Sequence, residues 1–134
     1  MCLAFTSDVP EPGDAIPLMA AGVPLILVRD RAGAIRVFHN VCRHRAGPLV
    51  DEDRGNCGGS FTCKYHGWNY TLDGRLRNAR DFGAAAGFDP RQYGLVPLKV
   101  ETWRSFVFVN ADLQASPLAG QMVPLDRKIG RAHV

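Results

Sequence analysis

The chain lacks any long hydrophobic segment and any strong excess of one charge. Its apolar runs, such as Pro24–Val28 and Phe106–Val109, are far shorter than the roughly 20 residues of a membrane-spanning helix. No basic segment leads into a long apolar stretch at the N-terminus, so neither a signal peptide nor a membrane anchor is predicted, and a cytoplasmic location is expected. The net charge is only +3 and Lys and Arg are scattered, which argues against a nucleic-acid partner but is compatible with an acidic protein partner.

Helix signals are also scarce, with a single helical turn predicted at Asp89–Tyr93, where Pro90 follows a capping Asp89. The 14 Gly and 9 Pro residues punctuate short apolar runs, a pattern that predicts an all-β domain of antiparallel strands. The predicted strands are Cys2–Thr6, the hairpin Pro24–Arg29 and Ala34–His39 around Asp30–Gly33, the hairpin Asn69–Leu72 and Arg75–Arg77 around Asp73-Gly74, Val96–Glu101, and Phe106–Val109 as a fully buried strand.

Cysteine is limited to four residues, Cys2, Cys42, Cys57 and Cys63. With no signal sequence, and with His beside two of the cysteines, metal binding is favoured over disulfides. The two pairs are Cys42-Arg43-His44 and Cys63-Lys64-Tyr65-His66, with 18 residues between His44 and Cys63. Each pair follows or precedes strand signals, so two loops at one end of a sheet can supply two thiolates and two imidazoles to one site.

Two kinds of metal centre accept this Cys₂His₂ set. Zinc takes it in tetrahedral structural sites, although zinc fingers usually place both cysteines before both histidines. A Rieske [2Fe–2S] centre places two Cys on one iron and two His on the other, so a Cys-His pair from each loop supplies one ligand to each iron. The order of the ligands favours the iron–sulfur centre, with a structural zinc domain as the alternative.

The segments Val41–Leu49 and Cys63–Trp68 resemble the two cluster loops of Rieske non-haem iron oxygenases, and in particular the α-subunits of aromatic ring-hydroxylating dioxygenases. The resemblance covers residues 1–125 and implies an all-β Rieske domain, an antiparallel β-sandwich with a small cluster-binding lobe. Flanking segments fit the same family: Arg29-Asp30, Asn40, Gly55-Asn56, Asp73-Gly74-Arg75, Tyr93-Gly94-Leu95, Trp103 and Phe106–Asn110.

The resemblance implies that Cys42, His44, Cys63 and His66 bind the cluster. It further implies an oxidoreductase in which a ferredoxin or flavin reductase supplies electrons, and His66 passes them toward a catalytic domain of the same or a neighbouring subunit. That domain holds a mononuclear Fe(II) in the family, and trimers are common. The chain has no paired-His motif for such an iron, so the catalytic domain is predicted to be absent; a stand-alone Rieske-type ferredoxin is the remaining alternative.

Three positions depart from respiratory-complex Rieske proteins. Those proteins carry an extra cysteine in each loop, and the two form a disulfide; Gly47 and Tyr65 stand there in this chain. They also have a hydrogen-bonding serine two residues after the second histidine, where Trp68 stands here. Because fewer donors to the sulfurs lower the reduction potential, we expect a potential near about −150 mV, the low end of the Rieske range, and a redox titration checks it.

The residues around the four ligands carry further expectations. Gly47 and Gly67 are expected to permit close backbone approach, with N–H groups directed toward the cluster sulfurs. Tyr65 and Trp68 are interpreted either as core aromatics or as a shield against water. Three cations have two alternative roles, as solvated side chains or as charges that offset the cluster and form a docking face: Arg43, Arg45 and Lys64.

The remaining Cys and His residues are assigned no part in the site. His39 is predicted to be structural, Cys57 a free thiol in a turn, and Cys2 a strand residue. Lys128–Val134 resembles the translation of a common sequencing-library adapter, so residues 126–134 are predicted to be a non-native or truncated tail. His133 is therefore not a candidate ligand.

Overall fold

A computed structural model describes residues 1–51, 55–80 and 86–132, the last three as backbone only. Within these residues the chain forms three antiparallel sheets and one α-helix, and the predicted all-β class is confirmed apart from that helix. The elements are β1 (Cys2–Phe5), β2 (Asp14–Ala20), β3 (Val23–Arg29), β4 (Ile35–His39), β5 (Gly55–Asn56), β6 (Ser60–Thr62), β7 (Asn69–Thr71), β8 (Leu76–Asn78), β9 (Lys99–Trp103), β10 (Phe106–Asn110) and α1 (Leu118–Ala132).

Strand β3 lies between two hydrophobic cores. Its sheet has the order β4-β3-β2-β5, and successive side chains of a strand point to opposite faces. Leu25 and Leu27 therefore pack into one core, against the sheet with the order β1-β10-β9, whereas Ile26 and Val28 pack into the other. Burial on both faces explains why this strand is a continuous apolar run.

The second core carries the third sheet, of order β6-β7-β8, and the cysteines of both Cys/His pairs. Tyr70 on β7 is fully buried there, as is Phe61 on β6 at 2% exposure. The two Cys/His segments are the connection that follows β4 and the turn between β6 and β7. Strand pairing thus fixes the ends of both segments on one side of this core.

Both predicted hairpins are present, as β3–β4 and β7–β8, and Pro90–Gln92 forms the predicted helical turn capped by Asp89. Strand β10 was predicted to be buried on both faces, but only Val107 and Val109 are buried, because the alternate residues lie on the outer face of the sheet. Strand β2 was not predicted. It pairs with β3 across a two-residue turn in which Ala21 and Gly22 both have positive φ, at 49° and 79°.

Helix α1 was not predicted either, since Gly120 and Pro124 disfavour a helix. Polar contacts with β9 and its turn hold it in place: the Leu118 N–H donates to Glu101 at 2.7 Å, and Asp126 accepts from Trp103 Nε1 at 3.1 Å. The predicted boundary after residue 125 falls inside this helix, and the assignment of residues 126–134 stays a prediction. Among the described residues, no helix has both the length and the apolar character needed to span a bilayer.

Candidate metal centre

The first loop, residues 42–47, folds back on its own cysteine. The Cys42 N–H donates to the Gly47 carbonyl at 2.8 Å, and the Ala46 N–H donates to the Cys42 carbonyl at 2.9 Å. Ala46 has a φ of 60°, in the left-handed region that non-glycine residues seldom adopt. The loop is therefore a tight, doubly bonded turn with the cysteine at its base.

The second loop, residues 63–68, repeats this arrangement. The Cys63 N–H donates to the Trp68 carbonyl at 2.8 Å, and the Gly67 N–H donates to the Cys63 carbonyl at 3.0 Å. Gly67, like Ala46 the fourth residue after its cysteine, has a φ of 73°. Two loops of different sequence thus share one backbone conformation, although no internal repeat is visible in the sequence.

The loops bring the four predicted ligands together in two pairs of opposite character. Cys42 and Cys63 are buried, at 2% and 3% exposure, and both are free thiols. The rings of His44 and His66 meet edge to face with centroids 4.5 Å apart. His66 is exposed and His44 half-buried, so the sulfur side of the site faces the core and the nitrogen side faces the surface.

This division fits a dinuclear cluster better than a single ion. A structural zinc site needs four ligands around one point, whereas a Rieske cluster needs two thiolates on one iron and two imidazoles on the other. The paired arrangement therefore fits the [2Fe–2S] group and does not favour the zinc alternative.

Trp68 supports the nitrogen side of the site. It is 2% exposed, and its ring stacks on His44 at 4.9 Å and 15°. Burial lowers the pKa of His44, and the neighbouring charges of His66 and Arg45 lower it further. A neutral imidazole is the form that binds a metal, and Trp68 occupies the buried position expected of a water shield.

Tyr70 is the site residue that sequence reasoning missed. Its hydroxyl accepts from the Arg43 N–H at 2.9 Å and lies 3.6 Å from Cys42 Sγ. Burial raises the pKa of Tyr70, and the contact with Cys42 raises it further, so the hydroxyl keeps its proton. The alternation along β7 and the residue that follows it, which buries Tyr70 and Leu72 on one face, is the signal in the sequence that identifies it.

The two loops touch where respiratory Rieske proteins carry their disulfide. A Cβ on Gly47 would lie 2.6 Å from the Tyr65 ring, so this glycine permits the close approach of a ring rather than of backbone. Tyr65 is 67% exposed and is not a core aromatic. Gly67 departs from the expectation of close approach, because a Cβ there would meet only Arg80, at 3.8 Å. Its positive φ explains the glycine, and its N–H is bonded to Cys63 rather than directed at a sulfur.

The three cations have different surroundings. The Arg43 guanidinium donates to the Gly94 carbonyl at 3.0 Å and so ties the first loop to the segment after Tyr93. Lys64 forms an ion pair with Asp51 at 2.9 Å. Arg45 is exposed beside His66, where its positive charge faces solvent.

Three of the other Cys and His residues can be placed in the structure. The His39 N–H pairs with the Val96 carbonyl at 2.9 Å, which supports a structural role. Cys57 is half-buried, and burial raises its pKa. Cys2 is exposed on β1, and His133 lies outside the described residues.

Two matching turns on an antiparallel β scaffold thus present buried thiols on one side and imidazoles near the surface on the other, the arrangement of a two-loop Cys/His metal centre. The model of the Rieske [2Fe-2S] domain family matches residues 1–98. The chain therefore belongs to the Rieske [2Fe–2S] domain family, and the predicted fold and cofactor are confirmed.

Oxygenase subunits are among the similar proteins. The chain is 33% identical over 132 residues to the carnitine monooxygenase oxygenase subunit of Acinetobacter pittii, covering 98% of this chain and 35% of that protein. It is 36% identical over 126 residues to the biphenyl dioxygenase subunit alpha of Metapseudomonas furukawaii, covering 88% of this chain and 27% of that protein. The chain thus spans about a third or less of the relatives it matches.

Solved structures agree with these relatives. The apo form of the quaternary ammonium Rieske monooxygenase CntA superposes with a TM-score of 0.90 at 33% identity, over 98% of this chain and 38% of that one. A naphthalene 1,2-dioxygenase mutant bound to phenanthrene gives 0.81 at 32% identity, over 91% of this chain and 28% of that one. The matched part of each structure is the part that contains the fold described above.

Proposed function

We propose that Cys42 and Cys63 bind one iron of the [2Fe–2S] cluster, that His44 and His66 bind the other, and that the domain relays single electrons within an oxygenase. When bound, such a cluster accepts and releases one electron at a time. The observation that carries the proposal is the pairing of two buried thiols with two imidazoles 4.5 Å apart at the surface.

The surroundings of the four residues determine from which side an electron acceptor can reach the site. Burial keeps water away from the two thiols, and Trp68 covers one face of the His44 ring. His66 is exposed, so an acceptor can approach this imidazole closely from outside. The proposed electron exit is therefore His66, with Arg45 and Tyr65 around it.

The whole protein is proposed to be an oxidoreductase of the Rieske oxygenase α-subunit class. A ferredoxin or flavin reductase supplies the electrons. A mononuclear Fe(II) site in a catalytic domain of the same or a neighbouring subunit consumes them, within a homo-oligomer that we propose to be a trimer. Residues 1–125 are assigned to the Rieske domain. The free thiols favour a reducing compartment, which is consistent with the cytoplasm.

Ligand substitution tests the site directly. The chain is purified, reconstituted with iron and sulfide without oxygen, and assayed by absorption, by EPR of the reduced form and by iron content. We expect Cys42→Ser, Cys63→Ser, His44→Ala and His66→Ala each to lose the Rieske-type spectrum. Retention of an unchanged spectrum in any one of them contradicts the assignment of that residue.

Matched controls exist because the chain has other thiols. Cys57→Ser and Cys2→Ser remove a thiol without removing a proposed ligand, and we expect both proteins to keep the wild-type spectrum and two irons per chain, the content of one cluster. Circular dichroism of the apoproteins separates loss of a ligand from loss of the fold. A spectrum lost in Cys57→Ser but kept in Cys63→Ser would overturn the proposed ligand set.

A further inference from the structure

A concentration of arginine lies on the face that β4, β8 and the turn at Pro90–Gln92 form. Five guanidinium groups line or border two adjoining depressions of about 760 and 430 Å³. We call this surface the arginine face, and its members are Arg31, Arg36, Arg75, Arg77 and Arg91. All five are exposed, although the sequence spreads them over 61 positions and shows no basic cluster.

Carboxylates neutralise only part of this charge. Asp30 pairs with Arg36 at 2.7 Å, and two further ion pairs at 3.0 Å each join Asp73 to Arg75 and Asp89 to Arg91. Among the described residues no carboxylate lies within ion-pair distance of the two other members, Arg31 and Arg77. Counted over the described residues, the face therefore carries more positive than negative charge, while the whole chain carries a net charge of only +3.

The arginine face is connected to the metal centre by a row of aromatic rings. Gly94 lines the larger depression and its carbonyl accepts from Arg43 of the first loop at 3.0 Å. The neighbouring Tyr93 ring lies 6.3 Å from Trp68, which stacks on His44 at 4.9 Å. These contacts form a continuous path of packed rings from the segment beside this face to His44.

We infer that the arginine face is the docking site of the electron donor, a protein with an acidic surface around its own redox centre. The inference rests on the proposed electron-transfer function and specifies the partner surface for that site. Complementary charge speeds encounter and orients the partners, and the gain disappears in salt. The path from this face reaches the centre through Tyr93, Trp68 and His44, and none of the five arginines borders the depression beside His66.

Stopped-flow reduction of the reconstituted chain tests this inference. The probe is a reduced acidic plant-type [2Fe–2S] ferredoxin, and the readout is the second-order rate of change in the Rieske absorption. The variant is Arg31→Glu/Arg77→Glu, which reverses the two charges of the face that have no ion pair with a carboxylate of the described residues. The control is Arg127→Glu/Lys128→Glu, an equal charge reversal on exposed positions of helix α1. Photoreduced methyl viologen, a small cation, serves as a donor that needs no docking.

At low ionic strength we expect the rate with ferredoxin to fall at least about tenfold in Arg31→Glu/Arg77→Glu and to change much less in the control. At about 1 M salt, where the screening length is about 3 Å, the rates of the two double variants with ferredoxin should converge. The absorption spectrum, the reduction potential and the rate of reduction by methyl viologen should not change. Equal rates for the two double variants, or a wild-type rate that salt does not lower, would overturn the inference. Failure of the proposed function is distinguishable, because the wild-type chain would then lack the Rieske spectrum.

Discussion

Replacing Tyr70 with phenylalanine removes a single hydroxyl from the sulfur side of the metal centre. That hydroxyl accepts from the Arg43 N–H at 2.9 Å, so its own proton is left to point at Cys42 Sγ, 3.6 Å away. A cysteine that binds iron has no proton, so the tyrosine must be the donor in the loaded protein. Because a donor stabilises the more negative, reduced state, Tyr70→Phe should lower the reduction potential.

The size of the change follows from the kind of bond. A hydrogen bond to a charged acceptor contributes about 1.5–3 kcal/mol, and we take roughly half of it to be specific to the reduced state. About 1.4 kcal/mol, a tenfold change in an equilibrium constant, corresponds to about 59 mV for one electron. We therefore expect the potential of Tyr70→Phe to fall by about 30–60 mV.

The assay is an anaerobic redox titration followed by absorption and circular dichroism. Tyr93→Phe is the matched control, because it removes a hydroxyl from a half-buried ring that packs near Trp68. Its potential should stay at the wild-type value. Since the pKa of Tyr70 is raised, the difference between Tyr70→Phe and wild type should not change from neutral to mildly alkaline pH. An unchanged or higher potential in Tyr70→Phe would refute this reasoning.

Three further predictions concern stability and are checked by thermal unfolding. Gly67→Ala should lower the free energy of unfolding by about 1–2 kcal/mol, because Gly67 has a φ of 73°. Ala46→Gly, at the matching position of the first loop, should leave the melting temperature unchanged or raise it. Equal losses of stability in both variants would contradict a conformational cause. Asn40→Leu should lower the free energy of unfolding by about 2–4 kcal/mol, because the buried Asn40 side chain accepts hydrogen bonds from two backbone N–H groups, at 2.8 and 3.1 Å. A loss of less than about 1 kcal/mol would contradict this role of Asn40. Burial raises the pKa of Asp30, but the stronger combined effect of Arg36 and backbone donors lowers it. The stability that ionised Asp30 contributes is therefore present above the unfolded pKa of about 4 and is lost as the pH falls below that value. Asp30→Asn should be less stable than wild type at neutral pH and should lose less stability on acidification. A pH dependence of stability that is the same in Asp30→Asn and wild type would refute this role of Asp30.

The four ligands of the site could be predicted from the sequence, because each Cys/His pair is a pattern of residue types at short spacing. Cys42 and His44 are two positions apart, and Cys63 and His66 three, so each pair lies in a single turn whatever the rest of the fold. The hairpin around Asp73-Gly74 was predictable for the same reason, because its turn chemistry is local. These local signals place the ligands and the strands beside them.

The remaining features depend on contacts between distant segments. Strand β2 contains Pro17 and turns at Ala21, a residue that seldom has positive φ, so its pairing with β3 has only a weak local signal. Helix α1 forms despite Pro124 because Asp126 is held by Trp103 and Arg104. Nor does any local pattern predict the arginine face, whose members come from four separate stretches of the chain.

Pulsed EPR of the reduced chain with ¹⁵N-labelled histidine tests the central claim most directly, because it counts the nitrogen atoms bound to the paramagnetic centre. We predict two strongly coupled histidine nitrogens in the wild-type protein, and loss of the two-nitrogen signal in His44→Ala and in His66→Ala but not in His39→Ala. Two-nitrogen coupling that survives replacement of His44 or His66, or a wild-type signal without any histidine nitrogen, would contradict the assignment.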